Sequence, residues 1–458
     1  MIPRSCSEET VPTLEISNIE CTSDDLRVVL NIATGMTWPW FGPIANEMVD
    51  EFGITLNQVN WLGNIMGCVY LPVSLCVPVI VSAYGVRRCC DVGAVTLLLS
   101  AWIRYAATAD GLSKGGAYAL LLLGQTCASI AQPIFQVLAP KYSETWFDLK
   151  TRTTATMVIA MANPIGGAVG QLLSPLVGTP RQSILVLGVI SSVAAPGIFV
   201  ISAAPPSPPT YSASKKSSGL SQLLQQLCGR SKTTGSDMTI RERVDFILLL
   251  FIFGVLSATT NDFSILTAEI LQPVGYSATT SGLMGAVLLL AGIFGAAITA
   301  PLFDRVFTHH LAVTTKIFVP VSAAGWLSLV WAVRPHNSTS LFVIMAILGI
   351  SALSMLPVGL ELACELTRNA EGSAALMWFS CNLLSVVFIL IIGTLRAGPE
   401  ASPPLNMRRS LIFSGVLAMI SGGLSLLIRG KQARKEMDES ELQRHGAVTT
   451  TDPSTLTT

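Results

Sequence analysis

Apolar residues fill window after window of about 19 positions along this chain, each long enough to cross ~30 Å of hydrocarbon as an α-helix. Twelve such runs stand near 27–47, 59–83, 91–109, 116–138, 152–175, 183–203, 244–271, 280–303, 312–333, 341–366, 373–395 and 408–428. They predict an all-α membrane protein with twelve transmembrane helices. The longest polar interruption, residues 204–243, is rich in Pro and Ser and basic, and leaves six runs on each side. It reads as a cytoplasmic linker. The expected organisation is an N-terminal tail (1–26), a six-helix bundle (27–203), the linker (204–243), a second six-helix bundle (244–429) and a charged, then Thr-rich, disordered tail (430–458).

Composition agrees with this pattern: 51% of the 458 residues are apolar, only 12% are charged, and mean hydropathy is +0.59. A formal net charge of zero gives no reason to expect nucleic acid as a partner; the lipid bilayer and a small-molecule solute are the expected ones. The positions of the charges are more informative. Of the 28 Lys and Arg, only Arg104, Lys114, Arg181, Arg334, Arg396, Arg408 and Arg409 fall in odd-numbered loops. The excess on the other side predicts cytoplasmic termini. The sequon Asn337-Ser338-Thr339 falls in the loop between runs nine and ten, which this topology places outside, where glycosylation is possible. Residues 1–26 lack the basic and apolar regions of a cleavable signal peptide. The ten cysteines have no framework spacing and read as small buried residues rather than disulfides.

Polar and aromatic residues at membrane depth are the candidates for chemistry. The stretch TWPWFGPIANE at 37–47 carries two tryptophans, two prolines and a glycine about half-way through the first run. Pro39 and Pro43 predict a kink or break there, which membranes tolerate only beside protein or a watery cavity. Trp38 is too deep to be an interfacial anchor; with Phe41 and Ala45 at helical spacing it is expected to wall a central cavity, with Trp40 pointing elsewhere. Gln132 and Gln136 share a face of run four. Asn261 and Asp262 lie within run seven, Glu269 nearer its outer end, and Asn382 within run eleven. Amides read hydroxyls and amines, an aromatic face suits a cation, and a carboxylate at this depth needs a partner, a cation or a proton. At the cytoplasmic side, Glu361, Glu365 and Arg368 on run ten and Asp304-Arg305 after run eight predict a gate of ion pairs. For any one of these groups taken singly, interhelical packing or helix-end solvation is a sufficient explanation.

Other classes find no support. There is no Gly-rich phosphate loop for ATP-driven transport. His309, His310, His336 and His445 all fall in loops or the tail, so no metal site, cofactor site or catalytic constellation is expected.

Two six-helix halves joined by a basic cytoplasmic linker resemble the major facilitator fold, whose halves rock around a midplane site. Several segments carry a narrower resemblance. These are MTWPWFGPIANEMVDEFG, VNWLGNIMGCVYLP, AWIRY, AQPIFQVLAPKYSETWF, RTTATMVIAMANPIGGAVGQLLSPLV, SGLMGAVLLLAGIFGAAITAPLFDR and LPVGLELACELTRNAEG, which run through both halves. In this order they resemble the feline leukaemia virus subgroup C receptor-related transporters, solute carrier family 49, and within it the less characterised major-facilitator-domain member. The resemblance implies alternating access, with choline and ethanolamine assigned to some members, haem proposed for them and a vitamin suggested for another. In the choline-handling members a cation cage uses the tryptophan and glutamine that match Trp38 and Gln132. The cage tyrosine falls at Asn261 here, and its second glutamine near Asn382 or Leu383. VSAYGVRR lacks the family's acidic residue after run two.

The expected function is therefore a monomeric secondary transporter, a uniporter or proton-linked carrier, for a choline- or ethanolamine-like amine or a vitamin-like compound. Its expected residence is the plasma membrane or a vacuolar or lysosomal membrane. One alternative is a haem or porphyrin exporter, which calls for a wider apolar cavity and a His or Tyr near the iron. The other is a sensor or receptor that binds without translocating.

Overall fold

The computed structural model describes residues 27–138, 142–143, 152–200, 220–230, 238–305 and 311–430. The predicted tail 1–26, all of the predicted tail 430–458 but residue 430, and most of the linker lie outside them. Among the described residues there is helix and no strand. The helices are α1 (27–35), α2 (Ala45–Phe52), α3 (Leu56–Tyr84), α4 (Val86–Ala106), α5 (Lys114–Val137), α6 (Arg152–Leu173) and α7 (Pro180–Ala194). After them come α8 (Leu220–Leu227), α9 (Ile240–Ile265), α10 (Thr267–Leu271), α11 (Ala278–Arg305), α12 (Leu311–Ala332), α13 (Ser338–Thr367), α14 (Ala370–Leu395) and α15 (Arg408–Ser425). Nine helices among the described residues are long and apolar enough to cross a membrane. The other predicted runs correspond to α1 with α2, to α6 and to α15, which makes twelve crossings in two six-helix halves.

Local chemistry sets where the crossings begin. Thr55 with Gln58, Thr179 with Gln182 and Thr239 with Glu242 form capping boxes at the starts of α3, α7 and α9, satisfying amides that the first turn leaves open. Ser113 and Asn369 cap α5 and α14. Outward-facing Val193, Phe294 and Ile298 are exposed, an apolar surface that suits lipid rather than water.

The halves are joined chiefly by α3 packing on α14 and α6 on α11, with α6 also touching α13. In chain order these are the second crossing with the eleventh and the fifth with the eighth, the pairing expected of two parallel repeats. The short helix α8, with Leu223 buried, rests on α3 and α14 and so bridges the halves. Within the first half, α1 and α6 cross backbone to backbone. A Cβ on Gly166 would lie 2.0 Å from the Ile32 carbonyl oxygen, and one on Gly35 2.3 Å from that of Asn163. Such small-residue contacts replace the hydrophobic drive that lipid cannot supply.

Candidate functional site

The first crossing is broken, as its prolines require. Helix ends after residue 35, turns follow to residue 44, and α2 resumes at Ala45. The exposed backbone groups of the break find side-chain partners. Ser174 Oγ donates to the Trp40 carbonyl at 2.6 Å, and Gln125 Nε2 to the carbonyls of Thr37 at 3.4 Å and Leu62 at 3.1 Å. Gln125 Oε1 in turn accepts from the buried Arg104 guanidinium at 2.6 Å. We expect Ser174→Ala to strand a buried acceptor and lower stability by about 1–2 kcal/mol. Thermal melting of purified protein in detergent checks this.

The break throws Trp38 into a cavity of about 940 Å³ between the halves. Gly167 makes room for its indole, since a Cβ there would come within 3.0 Å of the ring. From the first half, Gln132, Gln136, Asn163 and Pro164 complete the wall. The second half contributes Phe253, Asn261, Ser322, Trp378 and Asn382 among others. Phe253 and Trp378 meet edge to face with centroids 5.6 Å apart. No Asp, Glu, Lys or Arg is among the described residues lining the cavity. Three buried groups there have no protein partner: Gln136 Oε1, an acceptor, Trp378 Nε1, a donor, and the Ser322 hydroxyl. A chamber of about 340 Å³ continues from it, shared by Trp38, Gln132, Asn261 and Asn382 and adding Asn64 and Ser385.

Five of the residues singled out in the sequence thus face one void: Trp38, Gln132, Gln136, Asn261 and Asn382. Two do not. Phe41 is buried with Met36, Trp40 and Ile44 in a separate apolar cluster; the backbone between residues 36 and 44 is not helical, so i, i+3 spacing from Trp38 does not hold there. Asp262 also points away, because neighbours on a helix project about 100° apart and Asn261 has the cavity side. Asp262 instead accepts a hydrogen bond from Ser385 and lines a different pocket with Ser410 and Ser414. Trp378 is the wall residue that sequence reading missed. It stands one turn before Asn382, whose Nδ2 donates to its carbonyl at 2.9 Å.

The two ends of the molecule differ. At the end away from residues 27 and 430, polar groups of both halves meet. Asn46 bonds Gln272, Asn60 bonds Glu269, Gln171 Nε2 donates to the Ser264 carbonyl at 2.9 Å, and Glu269 also pairs with Arg396. At the terminal end, Arg368 adopts a left-handed conformation (φ 56°) at the close of α13, so it leaves the face carrying the buried Glu361 and Glu365. Its ion pair is with Glu242 of α9 at 2.9 Å, within the same half. Asp245 accepts from the Gly430 and Arg429 amides at 3.0 and 3.2 Å, which anchors the end of the last crossing. Asp304 and Arg305 fall in the last turn of α11, with side chains outside the described residues. At the opposite end, Asn337 is half-buried and its Nδ2 donates to the Ala332 carbonyl at 2.9 Å. At the start of α7, Arg181 pairs with Asp110 at 2.8 Å and with Glu51 at 2.9 Å.

Residues 28–390 match the model of a family described as Major Facilitator Superfamily. The chain is 28% identical over 391 residues to solute carrier family 49 member A3 of Danio rerio, covering 82% of this chain and 78% of the relative. It is 23% identical over 428 residues to the human choline/ethanolamine transporter FLVCR2, covering 90% and 78%. Among solved structures, a D-xylose-proton symporter superimposes with a TM-score of 0.69 at 12% identity, over 90% of this chain and 99% of the symporter.

Proposed function

Because the chain belongs to the Major Facilitator Superfamily, a family of transporters and not of enzymes, we propose that it carries a small amine of the choline or ethanolamine class by alternating access. A vitamin-like polar solute is the nearest other cargo. One observation carries this reading: a single uncharged cavity has aromatic walls from both halves and unpaired polar groups beside them. Trp38 faces Trp378 and Phe253 across the halves, and π faces attract a cation without any counter-charge. Gln136 Oε1 would accept from a hydroxyl or ammonium, while the Trp378 N–H or the Ser322 hydroxyl would satisfy the solute's oxygen. Trp38 and Gln132 match the cage tryptophan and glutamine by the sequence resemblance alone, and two curated relatives bear choline and ethanolamine in their names. Asn261 and Asn382 would read the polar end in place of the cage tyrosine and glutamine.

The same lining favours the amine over haem, since no His or Tyr is among the described residues that form it. The layer of contacts between Asn46, Asn60, Gln171 and the second half would be the outer gate, closed here, with both termini in the cytoplasm. Glu361, Glu365, Asp304 and Arg305 would serve the inner gate, and Arg368 would brace it through Glu242. The protein would act as a monomer in the plasma membrane or a vacuolar or lysosomal membrane.

The test is uptake by the purified chain in proteoliposomes with radiolabelled choline, ethanolamine, pyridoxine and haem. Accumulation of an amine that competes with unlabelled choline is the expected result. Saturable binding without accumulation would make the protein a sensor, and preference for haem would remove the amine assignment. Trp378→Ala is expected to raise the KM for the amine by roughly tenfold, the loss of one cation–π contact of about 1–2 kcal/mol.

A further inference from the structure

Asp262 is 1% exposed in the last turn of α9, just before the chain passes into α10. The hydroxyl of Ser385 on α14 donates to Oδ1; Oδ2 has no partner. From α15 it faces Ser410 and Ser414, from α12 Trp326, from α10 Ile270 and from its own helix Thr259 and Phe263. The one titratable neighbour is the Cys381 thiol of α14, and no cationic side chain is among the described residues that meet it. A lone carboxylate at this depth is costly unless it takes up a proton or binds a metal cation. Several apolar residues line this pocket, and Ser410 already spends its hydrogen on the Ile392 carbonyl at 3.2 Å. A proton needs only the unpartnered Oδ2, whereas a metal ion would have to gather five or six oxygens from a largely apolar lining.

Ser385 gives this group a route to water. It lines the polar chamber that opens from the central cavity, opposite Asn64, whose two amide atoms are buried without partners. We propose that Asp262 is a proton-binding site set apart from the solute cavity, and that Ser385 transmits its charge state to the chamber. The exchange balances in protons. With Asp262 ionised, Ser385 donates to the carboxylate and offers the chamber only lone pairs. When a proton from chamber water adds to Asp262, the neutral acid donates to Ser385 Oγ, and the serine hydroxyl keeps its hydrogen and turns it toward the chamber. Ser385 thus changes from acceptor to donor where the solute passes. This deepens the transport reading and rests on it, since the coupling has meaning only in a carrier.

Infrared spectroscopy of the full chain in lipid tests the site without any solute. Wild type minus Asp262→Asn should show one protonated-carboxyl band that moves on deuteration and is lost as pH rises. Ser385→Ala should move that band to higher frequency. A difference spectrum showing only carboxylate at every pH would overturn the proposal. In proteoliposomes, a one-unit inward proton gradient should drive up to about tenfold accumulation of choline for one proton per solute, and Asp262→Asn should transport without responding to pH. Uptake that follows sodium instead, or an unchanged pH response in Asp262→Asn, would also overturn it. Absence of choline uptake in wild type beside an intact infrared titration would fault the choice of solute and leave the proton site standing.

Discussion

Uptake of amine tracer should fall to background when Trp38 is replaced by Ala, while the protein should still reach the membrane and melt within a few degrees of wild type. Among the described residues, the indole is the first half's only aromatic face on the cavity, and it also borders the chamber beyond. Removing it deletes one wall of a two-sided aromatic clamp. A desolvated cation–π contact of about 2 kcal/mol corresponds to a loss of roughly thirtyfold in affinity, and a cavity open on one side would no longer orient what it binds. Trp38→Phe keeps a π face and should recover part of the rate. The fold is spared because Trp38 is only half-buried, whereas Trp40, fully buried in the neighbouring cluster, holds the broken helix in place. Trp40→Ala should therefore lose the protein itself. Normal uptake by Trp38→Ala would remove this site.

The second large effect is expected from a residue that touches no solute. Gly166→Val should give no monodisperse protein after extraction, because the new Cβ would meet the Ile32 carbonyl at 2.0 Å and neither backbone can yield. Overpacking of a side chain costs about 1–3 kcal/mol; here two helices would have to separate, and the break that presents Trp38 lies directly beyond the crossing. Gly423→Ala is the matching control, since a Cβ there meets nothing within 4 Å. It should leave melting unchanged. Size-exclusion profiles of the two variants decide the matter.

Much of the architecture is legible in the sequence, because a crossing must be apolar over a fixed length whatever it packs against. The break at Pro39 and Pro43 is legible for a similar reason, since a missing donor has the same effect in any context. What the sequence withholds is direction. Asn261 and Asp262 look equally well placed, and only the rotation of α9 assigns one to the cavity and the other to Ser385. Arg368 reads as a neighbour of Glu365 until its left-handed backbone turns it to Glu242, a partner 126 positions away. Trp378 gives no depth signal as Trp38 does, since it is the sixth residue of its run and reads there as an interfacial anchor. The bonds from Asn60 and Arg396 to Glu269 are equally hidden, as they join segments that nothing local relates.

Glu269 makes its charged contact to Arg396 of its own half and its neutral one to Asn60 of the other. Separating a buried ion pair costs several kcal/mol, whereas giving up an amide hydrogen bond that water can replace costs about 1 kcal/mol. When the halves part at this end, the carboxylate keeps its counter-ion and releases only the asparagine. The latch can therefore be undone by thermal motion, without bringing a bare charge into the lipid.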